Sequence, residues 1–136
     1  MCIRDRKKIA PGDLVKVMVT IRADGERRYV AVVDPIPAGF ELVNSNLVTA
    51  AGRQRDGLSG TDKGWWSDSV WTYIELRDDR VQAFADWMPK RDEYRLVYLA
   101  RATLAGRFTA PPTRVEAMYE PEVFARGKAA QVLIRK

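Results

Sequence analysis

Histidine is absent from the 136 residues. That absence removes Ser-His-Asp and Cys-His catalysis, imidazole general bases and His-ligated zinc. The single cysteine, Cys2, can form neither an intrachain disulfide nor a thiolate metal site. No apolar run approaches the roughly 18–20 residues of a membrane span. The N-terminus carries basic residues without the apolar stretch of a signal peptide. There is no glycine-rich phosphate loop, nucleophile elbow or internal repeat. These absences point to no cofactor, no metal and no catalytic residue, and the chain reads as not an enzyme. What is present is ordinary: 46% hydrophobic, 30% charged and 10% aromatic residues, the composition of one globular domain. A chain of this size buries roughly two-thirds of its unfolded surface, enough for a core without a staple.

The opening Met1-Cys2-Ile3-Arg4-Asp5-Arg6 matches the translation of a transposase end sequence used to prepare sequencing libraries. Residues 1–6 are therefore read as a sequencing-adapter artefact and 7–136 as the domain, with the native start upstream. On that reading neither Cys2 nor the lack of a leader says anything about compartment. The net charge of +5 becomes +4 once Arg4, Asp5 and Arg6 are set aside. The other basic residues are interleaved with acids, as in Arg77-Asp78-Asp79-Arg80, which suits a solvated surface rather than a nucleic-acid face.

Residues 13–21 alternate Val15, Val17, Val19 and Ile21 with a mixed face, the pattern of a half-buried strand. Asp24-Gly25 suits a tight reversal, and 28–34 is the return strand of an expected hairpin. Pro35 and Pro37 then predict an extended loop that carries Ile36 and Phe40 to the core edge. From 44 to 69 the pattern dissolves into polar residues, a long loop of the kind that is often functional. Strands resume at 70–75 and 80–86, with the polar Arg77-Asp78-Asp79-Arg80 turn between them. The run 93–104 sets Tyr94, Leu96, Tyr98 and Ala100 on one face and Arg95, Val97, Leu99 and Arg101 on the other. Ala105-Gly106 breaks it, and Pro111-Pro112 cannot lie mid-sheet. Short strands follow at 113–117 and 129–135, with a loop over 118–128. About seven antiparallel strands and no amphipathic helix predict an all-β, two-sheet immunoglobulin-like sandwich, although the Cys-Trp-Cys signature is missing.

Three groups of residues invite a functional reading. Trp65, Trp66, Trp71 and Trp87 suit a stacking surface for glycan or peptide, and more readily a core or loop-anchoring cluster. The acids of Asp78-Asp79 and Asp92-Glu93 sit in turns, not across a cleft as a glycosidase requires, and read as solvated. Met118-Tyr119-Glu120-Pro121-Glu122-Val123-Phe124 is an apolar loop, which either folds back on the sandwich or meets a partner.

Several segments resemble a known family. Val32-Val33-Asp34-Pro35-Ile36-Pro37-Ala38-Gly39-Phe40-Glu41 is similar to a stretch of bacterial alpha-2-macroglobulins. Glu75-Leu76-Arg77-Asp78-Asp79-Arg80-Val81, Tyr98-Leu99-Ala100-Arg101-Ala102, Phe108-Thr109-Ala110-Pro111-Pro112 and Met118-Tyr119-Glu120-Pro121-Glu122 follow in the family's order. The resemblance covers nearly all of 7–136 and is to the C-terminal macroglobulin-like domain. It implies a parent that is a large periplasmic lipoprotein, anchored at the inner membrane, which traps proteases. In that scheme a protease cuts a bait region and a buried Cys-Gln thioester in a helical domain captures it. The resemblance further implies that Met118 and Tyr119 help cover that bond. Its partners are then the thioester domain, neighbouring macroglobulin domains of the same chain, and target proteases met through the parent. Neither the bait nor the thioester cysteine lies in this sequence. Family members carry at least one more strand before Pro11-Gly12, so an unpaired sheet edge is expected here. The alternative reading is a free-standing immunoglobulin-like module that binds glycan or peptide through Trp65, Trp66 or Tyr119.

Overall fold

The computed structural model describes residues 8–43 and 70–136. Among them are ten strands: β1 (Leu14–Ala23), β2 (Arg27–Pro35), β3 (Phe40–Val43), β4 (Tyr73–Leu76), β5 (Arg80–Met88), β6 (Arg91–Ala102), β7 (Gly106–Ala110), β8 (Arg114–Ala117), β9 (Glu120–Arg126) and β10 (Ala130–Ile134). They form a three-stranded sheet in the order β1-β6-β3, a five-stranded sheet β4-β5-β2-β8-β9 and a two-stranded ribbon β10-β7. Every pairing between these strands is antiparallel. Trp65 and Trp66 lie outside the described residues, as do positions 1–7.

The fold is all-β, and the alternation seen in the sequence decides which side chains meet. Val17, Val19 and Ile21 of β1 and Tyr94, Leu96 and Tyr98 of β6 join one buried cluster with Val30 and Val32 of β2 and Val81, Ala83 and Ala85 of β5. Ala110, Val132 and Ile134 bring the ribbon into the same core. Full burial of a side chain such as Leu96 contributes about 1.5–3 kcal/mol of transfer energy.

Two expectations are corrected, and two strands are added. The segment after β1 is not a hairpin: β1 pairs with β6, whereas β2 pairs with β5 and β8. The chain around Asp24-Gly25 therefore crosses from one sheet to the other, and the two apolar faces meet through the core. Residues 40–43 form β3, paired from Phe40↔Ala102 to Val43↔Leu99, a strand the sequence pattern did not mark. Residues 106–110 form β7, because the last ladder pair, Ala130↔Ala110, leaves Pro111 and Pro112 just outside the sheet. Residues 120–126 form β9, not a loop, and raise the strand count above seven. β9 is an edge strand, so Pro121 costs the ladder no bond that a central strand would need.

A buried polar link ties the sheets together. Asp34 is 2% exposed, at the end of β2. Its Oδ2 accepts the hydroxyl hydrogen of Tyr98 on β6, and its Oδ1 accepts that of Thr113 at 2.7 Å. Burial, then the neighbouring Asp34 charge and hydrogen bond, push the Tyr98 phenol far above its ordinary range. Trp71, the one described tryptophan of the core, donates Nε1–H to the Arg95 carbonyl at 2.9 Å.

Candidate functional site

Met118 and Tyr119 form the two-residue connection between β8 and β9, closed by the pair Ala117↔Glu120. Two-residue hairpins favour primed turns with positive φ, usually supplied by Gly or Asn. Met118 and Tyr119 do not adopt it, since Tyr29 is the one non-glycine residue with positive φ among the described residues. The ladder absorbs the mismatch instead. Glu116 pairs with Phe124 and Ala117 with Glu120, so residues 121–123 bulge out of β9.

The turn is held on its inner side by β2. The Met118 amide donates to the Tyr29 carbonyl at 2.9 Å. The rings of Tyr29 and Tyr119 meet edge to face, with centroids 5.2 Å apart and planes at 89°. That is a favoured arrangement for aromatic quadrupoles. Tyr119 is nevertheless 78% exposed and Met118 also faces solvent. A large side chain is thus fixed in place and presented outward.

Tyr29 itself was not singled out by sequence. Its φ of 53° lies in the left-handed region, which non-glycine residues rarely occupy. The partner strand responds: on β5, Asp86 and Trp87 are both exposed before Met88 turns back into the core. Trp87 thereby emerges at the same end of the five-stranded sheet, paired in register with Arg28. Its Nε1–H donates to Glu26 Oε1 at 2.8 Å, and Arg28 pairs with the same carboxylate at 3.4 Å. At this end of the sheet Tyr29, Trp87, Met118 and Tyr119 are each exposed, and Tyr29 and Tyr119 are in ring contact. No sequence signal marks Tyr29, because an isolated left-handed residue is chosen by its tertiary neighbours.

Of the residues expected to act, Met118 and Tyr119 stand together on the surface, and Phe124 is exposed further along β9. Trp71 is core and Trp87 is exposed, so those tryptophans do not form one platform. Asp78 and Asp79 occupy the β4–β5 turn, where the Arg77 amide donates to the Arg80 carbonyl at 2.9 Å. Among the described residues no group of three or more His, Cys, Asp or Glu side chains is placed to hold a metal ion.

Comparison with known proteins gives this surface its context. Residues 3–122 match the family model of the bacterial alpha-2-macroglobulin MG10 domain. An alpha-2-macroglobulin of Escherichia coli K12 is 38% identical over 128 residues, covering 90% of this chain. The chain spans only 8% of that relative's length. Among solved structures, E. coli alpha-2-macroglobulin activated by porcine elastase matches with a TM-score of 0.73 at 34% identity, over 94% of this chain and 11% of that one. Salmonella alpha-2-macroglobulin reacted with methylamine matches with a TM-score of 0.72 at 35% identity, over 94% of this chain and 8% of that one. The chain belongs to the bacterial alpha-2-macroglobulin MG10 domain family.

Proposed function

We propose that this domain serves a protease-trapping alpha-2-macroglobulin by packing its Met118–Tyr119 turn on the thioester-bearing domain of the same parent. The turn shields the reactive bond from water and stray amines until a protease triggers the parent. The observation that carries the reading is Tyr119: 78% exposed, yet held by a ring contact and a backbone hydrogen bond at the base of its turn. An exposed aromatic fixed in this way loses little entropy on docking, which suits it to an anchoring role.

Two relatives support the reading chemically. One was solved after activation by elastase, and another after reaction with methylamine, a small amine nucleophile. An activated acyl bond that amines attack must be kept dry to survive. In this reading the domain supplies cover rather than catalysis. Its partners are the thioester domain and neighbouring macroglobulin domains, with proteases met through the parent. On the same reading the parent is a periplasmic protein held at the inner membrane by a lipid anchor, which membrane fractionation together with protease accessibility in spheroplasts checks.

The test places this domain in full-length Salmonella alpha-2-macroglobulin in place of its matching domain. Thiol release in the presence of methylamine is then followed with and without Tyr119→Ala. Acceleration of roughly tenfold, the loss of about 1.4 kcal/mol of protection, is expected. An unchanged rate in a correctly folded protein ends the shielding reading.

A further inference from the structure

We propose that Tyr29 is a positioning residue for Tyr119, and that its left-handed backbone is what allows it to act. The inference rests on the shielding reading above. It assigns a function to a residue 90 positions earlier in the sequence, on the strand of the sheet next to β8.

The argument starts from an outlier. An aromatic residue at φ 53° inside a strand is disfavoured, and such residues persist where the surroundings over-determine them. Here two contacts use the unusual geometry at once. The Tyr29 carbonyl accepts the Met118 amide at 2.9 Å, and the Tyr29 ring meets Tyr119 edge to face at 5.2 Å. Flanking positions are ordinary. Arg28 pairs with Trp87, and Val30 pairs with both Ala85 and Ala117. The departure is confined to the one residue beneath the turn.

The turn needs this help for a reason already visible. Met118 and Tyr119 lack primed-turn geometry, and residues 121–123 bulge from β9. A loop closed that way has few backbone bonds of its own to fix the direction of its side chains. Tyr29 provides both a backbone anchor and a ring against which Tyr119 rests. Removing the ring leaves Tyr119 free to sample other rotamers, and only the fraction in the covering orientation then shields the bond.

The two contacts separate by mutation. Tyr29→Gly tolerates positive φ and keeps the carbonyl, but deletes the ring. Tyr29→Phe keeps the ring. Tyr29→Val opposes positive φ, and so disturbs the carbonyl as well. In the full-length Salmonella protein carrying this domain, Tyr29→Gly is expected to speed methylamine-driven thiol release roughly 2- to 10-fold, the span one aromatic contact supports. Tyr29→Phe should restore the original rate, and Tyr29→Val should match or exceed Tyr29→Gly. A merely structural role would change the urea midpoint and leave the rate alone.

If Tyr119→Ala accelerates release while Tyr29→Gly does not, the positioning role is wrong and the shielding reading stands. If Tyr119→Ala has no effect, the shielding reading fails, and the positioning claim is judged by NMR on the 136-residue chain. There, Tyr29→Gly should move the Tyr119 ring protons toward free-tyrosine shifts and leave the fold intact. Unmoved Tyr119 shifts overturn the proposal.

Discussion

Tyr98 on β6 donates its hydroxyl hydrogen to the buried Asp34 carboxylate at the end of β2, linking the three-stranded sheet to the five-stranded one. Thr113, just before β8, supplies a second donor to the other carboxylate oxygen at 2.7 Å. A carboxylate that is 2% exposed needs such partners, because a buried charge without hydrogen bonds is costly. The Asp34-Pro35-Ile36-Pro37 segment leaves the sheet at the point where this link is made.

Tyr98→Phe removes the donor and keeps the ring. Asp34 then loses one of its two hydroxyl partners in a dry site, so the domain should lose about 1–3 kcal/mol. Thr113→Val alone should cost less, because the Thr113 contact is only partly buried. A urea titration with unchanged m-value reads both. A Tyr98→Phe loss below about 0.5 kcal/mol contradicts the link's importance.

The same link sets an alkaline limit. In the fold the Tyr98 phenol is held neutral well above its ordinary pKa, mainly by burial. The unfolded chain releases that proton near pH 10, so above it the unfolded state binds fewer protons than the native state. Stability present below pH about 10 is then lost as pH rises, at roughly 1.4 kcal/mol per unit. Tyr98→Phe lacks this slope. The stability gap between wild type and Tyr98→Phe should therefore shrink above pH about 10, and a constant gap rules the mechanism out.

Period-two patterning made the inner faces of β5 and β6 legible. Val81, Ala83 and Ala85 are buried, as are Tyr94, Leu96, Tyr98 and Ala100. The alternation of β1 was equally plain, but its neighbour was not. A tight turn at Asp24-Gly25 fits a hairpin and a crossing between sheets alike, and β6 decides between them. β9 escaped notice because an exposed edge strand carries no alternation to read. In the candidate site, Met118 and Tyr119 were visible as apolar residues in a polar stretch. Tyr29 and the Asp34 link were not, since the link depends on partners 64 and 79 positions away and Tyr29 on the distant β8–β9 turn.

Gly39 is fixed by a neighbour. A Cβ there would stand 2.6 Å from Phe108 Cδ2, far inside contact distance. Gly39 also offers its carbonyl to the Thr103 amide at 2.8 Å, so its backbone has little room to yield. Gly39→Ala should therefore cost about 1–3 kcal/mol through overpacking. Pairing it with Phe108→Leu, which clears the site, should recover part of that loss. A Gly39→Ala midpoint equal to wild type would show that Phe108 moves freely.

Tyr119 separates function from stability. Its side chain is 78% exposed, so Tyr119→Ala in this chain forfeits the contact with Tyr29 and little buried area. Surface changes of this kind usually stay within about 0.5 kcal/mol, and a lost aromatic pair adds up to about 1.5. Leu96, fully buried between the sheets, is the contrast: Leu96→Ala leaves a cavity and should cost about 2–5 kcal/mol. Urea unfolding of both variants beside their methylamine reactivity in the full-length protein gives the decisive comparison. A domain built to present Tyr119 outward should show a large reactivity change and a small stability change for Tyr119→Ala. A large stability loss there would make the tyrosine part of the fold rather than a cover held ready for a neighbour.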